Sequence, residues 1–312
     1  MPANNPKYTV LDIYAGAGGL SLGLEAAGFS VTGIERNADC CSTYNANLRG
    51  ECIHDTITPG YDFPNADVVV GGPPRQPFSV HGKQLGVQDC RNGIPSYMAA
   101  IRMIKPKICI FENVRGILYR NKEYFESFIE MIRSEGYCTD VSIVNCADYG
   151  VPQSRQRVIL VGHHGGYRQP TGLNMQVTAG EALRNIPKSE QEEPVYLTTS
   201  MDKYIAIYEK ASKCRPRDLD MARPARTLTC RNLAGRSSDM HRIKMKDGRR
   251  RMLYVREAAR LQGFPDWYTF SGSRNSALTQ IGNAVPPFLS LHIGRQIMMY
   301  LEAYQYATPI QK

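Results

Sequence analysis

The chain lacks any apolar run approaching the roughly 20 residues that a membrane span needs, so a bilayer protein is not expected. Its start, Met1-Pro2-Ala3-Asn4-Asn5-Pro6-Lys7, lacks the apolar core of a signal peptide. Zinc-site spacing is missing too: Cys40 and Cys41 are adjacent, and the other cysteines lie far apart. Nine cysteines at irregular spacing in 312 residues are therefore expected as free thiols in a reducing cytoplasm. No internal repeat or low-complexity tract stands out. Acidic residues are outnumbered, 29 Asp and Glu against 38 Lys and Arg, and the resulting charge of +9 suits a polyanionic partner. At 42% hydrophobic and 21% charged, the composition is that of a soluble globular chain, long enough for one or two domains.

What is present begins with a strand pattern, Tyr8 to Tyr14, followed by the glycine loop Ala15-Gly16-Ala17-Gly18-Gly19 and a helical pattern through Leu20, Leu22, Leu24 and Ala27. Strand, glycine loop and helix allow the backbone to approach a nucleotide-like ligand. The next strand, Ser30 to Ile34, ends at Glu35, where an acidic side chain can take both ribose hydroxyls. A helix over Asn37 to Leu48 and a short strand lead to His54-Asp55-Thr56. The apolar run Ala66 to Val70 reads as a buried parallel strand, and it runs into Gly71-Gly72-Pro73-Pro74-Arg75-Gln76-Pro77-Phe78-Ser79. Paired glycines and prolines restrict that loop, and open α/β sheets place their chemistry at the carboxyl ends of such strands.

A polar segment, Val80 to Asn92, precedes a helix over Ser96 to Ile104. The strand Lys107 to Phe111 ends in Glu112-Asn113-Val114. A carboxylate at a buried strand end is costly to desolvate, which suits an acid that hands over a proton. After a helix over Glu123 to Arg133 and a strand over Tyr137 to Cys146, Arg155 and Arg157 enter a further strand two residues apart, which places both on one face. Residues 165 to 222 are polar, with few strand patterns. A cationic stretch follows: Arg231, Arg236, His241, Arg242, Lys244, Lys246, Arg249, Arg250 and Arg251. Most of these are expected to meet phosphate. A helix over Tyr254 to Leu261 stops at Gly263 and Pro265, and the last helix covers roughly Phe288 to Tyr304.

Several of these stretches together resemble the DNA (cytosine-5) methyltransferases, in that family's order, from Leu11 to about Ile297. The carriers are the glycine loop, Gly-Pro-Pro-x-Gln-Pro-Phe-Ser at 72–79, Asp89-Cys90-Arg91 with Ile94, Glu112-Asn113-Val114, Gln153-x-Arg155-x-Arg157, the Arg223 to Thr229 stretch, the Tyr254 to Pro265 helix and Gln280 to Pro287. The resemblance implies an α/β fold, a doubly wound mixed sheet of Rossmann-like type with a smaller DNA-recognition domain. It divides the chain into a catalytic and cofactor-binding part over 1–164, target recognition over 165–264 and a return over 265–312. It implies S-adenosylmethionine as cofactor, held by Tyr14, Gly16, Gly18, Glu35, Asp55, Thr56, Pro74, Ile94, Asn283 and Val285. It implies duplex DNA as partner, with a flipped cytosine attended by Gln76, Glu112, Asn113, Arg155 and Arg157. A cognate restriction endonuclease, a monomeric state and a prokaryotic, nucleoid-associated cytoplasmic location go with it.

One residue breaks the pattern: Arg75 stands where the family has its nucleophilic cysteine. A guanidinium stays protonated and offers no nucleophilic lone pair. Three readings stay open from sequence: a restriction–modification methyltransferase inactivated at this position, a regulator that binds DNA and cofactor, and a relative acting on transfer RNA.

Overall fold

The structure is a computed structural model that describes residues 6–58, 60–73, 93–173, 175–187, 190, 192–211, 217–235 and 238–307. The first part alternates strands and helices: β1 (Thr9–Ile13), α1 (Gly19–Ala26), β2 (Ser30–Glu35), α2 (Ala38–Asn47), β3 (Cys52–His54), β4 (Val68–Gly71), α3 (Ile94–Ile104) and β5 (Ile108–Val114). The short α4 (Ile117–Arg120), α5 (Lys122–Ser134), β6 (Cys138–Asn145) and β7 (Gln156–His163) follow. The strands form a sheet of seven in the order β3-β2-β1-β4-β5-β7-β6. Strands β1 to β5 pair in parallel, while β7 runs antiparallel to both β5 and β6. Side chains alternate across the sheet, as a period of two requires. Val68, Val70, Ile108 and Ile110 enter one core cluster, and Val69, Cys109 and Phe111 enter the other, on the opposite face. Both faces are thus covered, and the apolar strand runs of the sequence reflect this.

The last helix, α11 (Pro287–Ala307), returns to this layer along α1. Ser290 donates to the Leu20 carbonyl, and the Tyr8 hydroxyl donates to the Leu301 carbonyl at 3.2 Å. Gly23 permits the approach, since a Cβ there would lie 2.4 Å from the Pro287 carbonyl oxygen.

A smaller layer contains α6 (Ala179–Ala182), α7 (Thr199–Ala211), α8 (Cys230–Ala234), the hairpin β8 (Arg242–Lys244) and β9 (Arg250–Met252), α9 (Val255–Gln262) and α10 (Arg274–Asn283). Its core cluster runs from Ala179 to Ala284, so Tyr268, Leu278 and Ile281 pack with it rather than with the sheet. Residues 165 to 222, polar with few strand patterns, hold the helix α7. Only Ile205 of that helix is buried, and its half-buried positions, Met201, Asp202, Tyr208 and Glu209, include two carboxylates. Asp202 pairs with Arg250 at 3.0 Å and Glu209 with Arg242 at 2.6 Å.

These pairs also correct the expectation for the cationic stretch. Arg242 is fully buried between Glu209 and Asp218. Arg250 joins Asp202 and Asp218, and Arg251 makes a bidentate pair with Glu257 at 2.7 Å for both contacts. His241 is buried as well, and desolvation pushes its imidazole down to about 4. Arg242, Arg250 and Arg251 are thus internal struts. Arg231, Lys244, Lys246 and Arg249 remain exposed, and Arg236 lies outside the described residues.

Candidate active site

The ends of β1, β2 and β4 open on a common rim. The chain leaves β1 with Tyr14 in the left-handed region at φ 64°, then passes Gly16 at φ 56° and Gly18 at φ 77° before α1 begins. A non-glycine residue in that region is strained and marks a built turn. The Glu35 carboxylate organises the loop: it accepts from the Gly16 amide at 3.1 Å and from the Asn37 amide at 2.8 Å. Nothing among the described residues lies within 4 Å of the place a Cβ would take on Gly16. Beneath it, Asp12 is buried and accepts from the Ser21 hydroxyl at 2.6 Å. Desolvation pushes the Asp12 carboxyl up to about 7.

Asp55 and Thr56 follow β3 and are exposed, with the Asp55 amide donating to the Glu35 carbonyl at 3.1 Å. Asp55 therefore stands beside Glu35, on the same rim as the loop. The Tyr14 hydroxyl donates to the Gly93 carbonyl at 3.3 Å and so tethers the start of α3. Ile94 is buried in the sheet core, next to that tether. Val285 touches the loop through its backbone: a Cβ on Gly19 would lie 2.4 Å from its carbonyl oxygen. Asn283, at the end of α10, is exposed two residues earlier.

Glu112 and Asn113 lie in β5, where the register sets Val114 opposite Arg157 of β7. Glu112 is 5% exposed, and its Oε1 lies 2.8 Å from Nε of Arg157. The ion pair offsets the desolvation of the carboxylate. The other carboxylate oxygen faces Gly72, where a Cβ would come within 3.1 Å of it, so a side chain at 72 would crowd the acid. Asn113 is 1% exposed; its Oδ1 accepts from the Val114 amide at 2.8 Å, and its Nδ2 has no hydrogen-bond partner among the described residues. A buried orphan donor beside an acid is an unusual cost unless a ligand meets it.

Arg155 does not join Arg157 at Glu112. Its guanidinium donates to the carbonyls of Leu228, Gly282 and Ala284, the last two at 3.3 and 3.2 Å. Gln153 extends this joint: its side chain accepts from the Leu228 amide at 2.8 Å and donates to Gln262 at 2.6 Å. Gln262 in turn donates to the Ala284 carbonyl at 2.6 Å. Gln153 and Gln262 were not singled out from sequence as site residues. Their signal is positional only, a glutamine beside a buried arginine, and it becomes legible once the small layer folds against β7.

Residues 8–299 match the family described as C-5 cytosine-specific DNA methylase. The chain belongs to that family. It is 47% identical to the Type II methyltransferase M.AplI of Arthrospira platensis, over 95% of this chain and 87% of that protein. It is 33% identical to the Type II methyltransferase M.NgoMIV of Neisseria gonorrhoeae, over 95% of this chain and 99% of that one. Among solved structures, Schizosaccharomyces pombe Dnmt2 methyltransferase aligns with a TM-score of 0.71 at 17% identity, over 96% of this chain and 99% of that chain. A putative DNA modification methyltransferase from an Escherichia coli prophage aligns with a TM-score of 0.69 at 22% identity, over 94% and 99%. At those identities the likeness speaks for the fold, which is the mixed-sheet, Rossmann-like methyltransferase architecture expected from the sequence.

The relatives make this a DNA cytosine methyltransferase by family, of the kind found in restriction–modification. Pro74, Arg75 and Gln76 of the methyltransferase's loop lie outside the described residues, as does Cys90. Arg75 is thus known by its chemistry and its place in the chain. Among the described residues no helix is long and apolar enough to cross a membrane.

Proposed function

We propose that this chain binds S-adenosylmethionine and duplex DNA and admits a flipped cytosine, but does not methylate it, because Arg75 occupies the nucleophile's position. The observation that carries this reading is the contrast within one site. The Glu112–Arg157 pair and the orphan Asn113 amide are built and buried at the end of β5, with Glu112 against Gly72, while the sequence offers a guanidinium for the attacking group. Gly16, uncrowded among the described residues, and the Glu35 carboxylate fit the cofactor, with Asp55 alongside. When bound, S-adenosylmethionine supplies an electrophilic methyl group. Glu112 would hold a proton at the ring nitrogen, Arg157 would brace Glu112 and the cytosine carbonyl, and Asn113 would donate to the base edge. Carbon 5 of cytosine is too weak a nucleophile unless a thiolate first adds at carbon 6, which is the covalent step Arg75 cannot perform.

The target must leave the stack, at a cost of a few kcal/mol. The names of the Type II relatives support a cognate endonuclease as partner. A monomer in the cytoplasm, near the nucleoid, completes the reading.

The test is a denaturing gel after incubation with S-adenosylmethionine and a random-sequence duplex pool synthesised with 5-fluorocytosine. Fluorine at carbon 5 cannot leave as a proton does, so an active enzyme stays bonded to the base. The wild-type chain is expected to give no shifted band, and Arg75→Cys is expected to give one. A band with Arg75 in place would overturn the inactivity reading. Absence of a band after Arg75→Cys would place a defect elsewhere in the site.

A further inference from the structure

With Arg242, Arg250 and Arg251 turned inward, the question is which cations remain for the DNA backbone at the catalytic end of the sheet. Arg115 answers it. It follows Val114 at the end of β5, two residues beyond Asn113. Its side chain is exposed yet held in place. Nε and Nη2 donate to the Tyr119 hydroxyl at 2.9 and 2.8 Å, and Nη1 donates to Oε1 of Gln156 at 2.8 Å. The guanidinium also lies over the Tyr119 ring, 5.2 Å from its centroid. Tyr119 is 61% exposed, so this clamp stands at the surface rather than in the core. Gln156 opens β7 and directly precedes Arg157, so the clamp is built on the same two strands as the Glu112–Arg157 pair.

A guanidinium has five N–H donors, and three are used here. One on Nη1 and one on Nη2 remain, which is the number a phosphate takes in a bidentate contact. No carboxylate among the described residues forms an ion pair with Arg115, in contrast to the three inward arginines. Beside it, nothing among the described residues lies within 4 Å of a Cβ placed on Gly116. A clamped arginine has already lost most of its rotamer freedom before it meets its ligand.

We propose that Arg115, clamped by Tyr119 and Gln156, grips a backbone phosphate of the DNA beside the extruded cytosine. This rests on the DNA-binding reading above. The contact fixes the register of the strand relative to Glu112 and Arg157 and carries no base preference.

The test uses the full chain and the duplex that it enriches from a random-sequence pool. Affinity is measured against salt concentration for the wild type, Arg115→Ala, Arg115→Lys and Tyr119→Phe, with thermal melts run alongside. Arg115→Ala is expected to weaken binding on the order of tenfold and to reduce the log–log salt slope by about 0.9. Arg115→Lys keeps the charge and hence the slope, with weaker binding. Tyr119→Phe removes the clamping acceptor and weakens binding at an unchanged slope. A scan of single methylphosphonates along the duplex should find one position where the wild type loses affinity and Arg115→Ala does not. Equal slopes and affinities for wild type and Arg115→Ala, or additive losses at every methylphosphonate, would overturn the contact. Failure of the wild type to enrich any duplex would instead sink the DNA reading itself. Enrichment only from a parallel RNA pool would overturn the assignment of the phosphate to DNA.

Discussion

Replacing Arg251 with methionine separates a structural arginine from a DNA-facing one. Arg251 and Glu257 are both nearly buried, with side-chain exposures of 8% and 6%, and they meet through two hydrogen bonds of 2.7 Å. Glu257 also accepts from the Tyr254 amide at 2.8 Å, so it holds the first turn of α9. Methionine fills much of the volume but leaves the carboxylate without its counter-charge. Breaking a buried pair from one side costs about 3–5 kcal/mol, because an uncompensated charge stays behind. In a chain of this size that is a fall in melting temperature on the order of 5–10 °C. Urea denaturation is the assay, with Glu257→Gln added to complete a double-mutant cycle. The double variant should recover part of the loss, since no lone charge then remains. Salt dependence of DNA binding, measured well below the transition, should match the wild type. A variant of normal stability whose salt slope falls by about 0.9 would mean that Arg251 meets a phosphate, and the inward assignment would be refuted. The exposed Arg249, paired only with Asp247 and lying over Tyr196, is the control, and its alanine variant should melt with the wild type.

Two further perturbations test the cofactor end. Asp12 has its carboxyl raised from 3.8 to about 7, so the folded chain binds the extra proton between those values and loses stability as pH rises through that window. Asp12→Asn, which keeps an acceptor for Ser21, should therefore melt higher than the wild type at pH 8, with the gap narrowing as pH falls below about 7 and closing only below 3.8; a gap that ignores pH would count against it. Glu35→Gln leaves either the Gly16 or the Asn37 amide without its acceptor, and calorimetry with S-adenosylmethionine should show affinity lower by about tenfold, the size of one charged hydrogen bond. Unchanged binding would reduce Glu35 to a loop residue.

Most of the sheet was legible because its strands are apolar on both faces and end in glycine or acidic residues. β1, β2, β4 and β5 lie where Tyr8, Ser30, Ala66 and Lys107 open their runs, to within a residue or two. The antiparallel β7 was legible as a strand but not in direction, which depends on the β6–β7 return. α7 was illegible for a specific reason. Its inward positions include Asp202 and Glu209, so its amphipathic signal is cancelled by charges that find arginines forty-eight and thirty-three residues away. The same long-range pairing hid the fate of the cationic stretch, because sequence shows the charge of Arg242 and not the Asp218 and Glu209 that neutralise it. At the site, the residue types were legible and their partition was not. Arg155 and Arg157 share a spacing rule, yet one faces a carboxylate and the other three carbonyls.

That partition fits the proposed reading of Arg75. Glu112 is compensated by Arg157 across the β5–β7 register, and Arg155, Gln153 and Gln262 are satisfied by backbone groups of the small layer. These bonds join β5, β7 and the small layer. Covalent chemistry at cytosine needs a thiol at position 75, but the support of the acid, the brace and the interlayer joint does not. On the proposed reading, an arginine at 75 would remove the bond-forming step while the Glu112–Arg157 pair stays in place. On that reading the chain would hold cofactor and base without the covalent step, and Arg75→Cys would separate the two capacities at a single side chain.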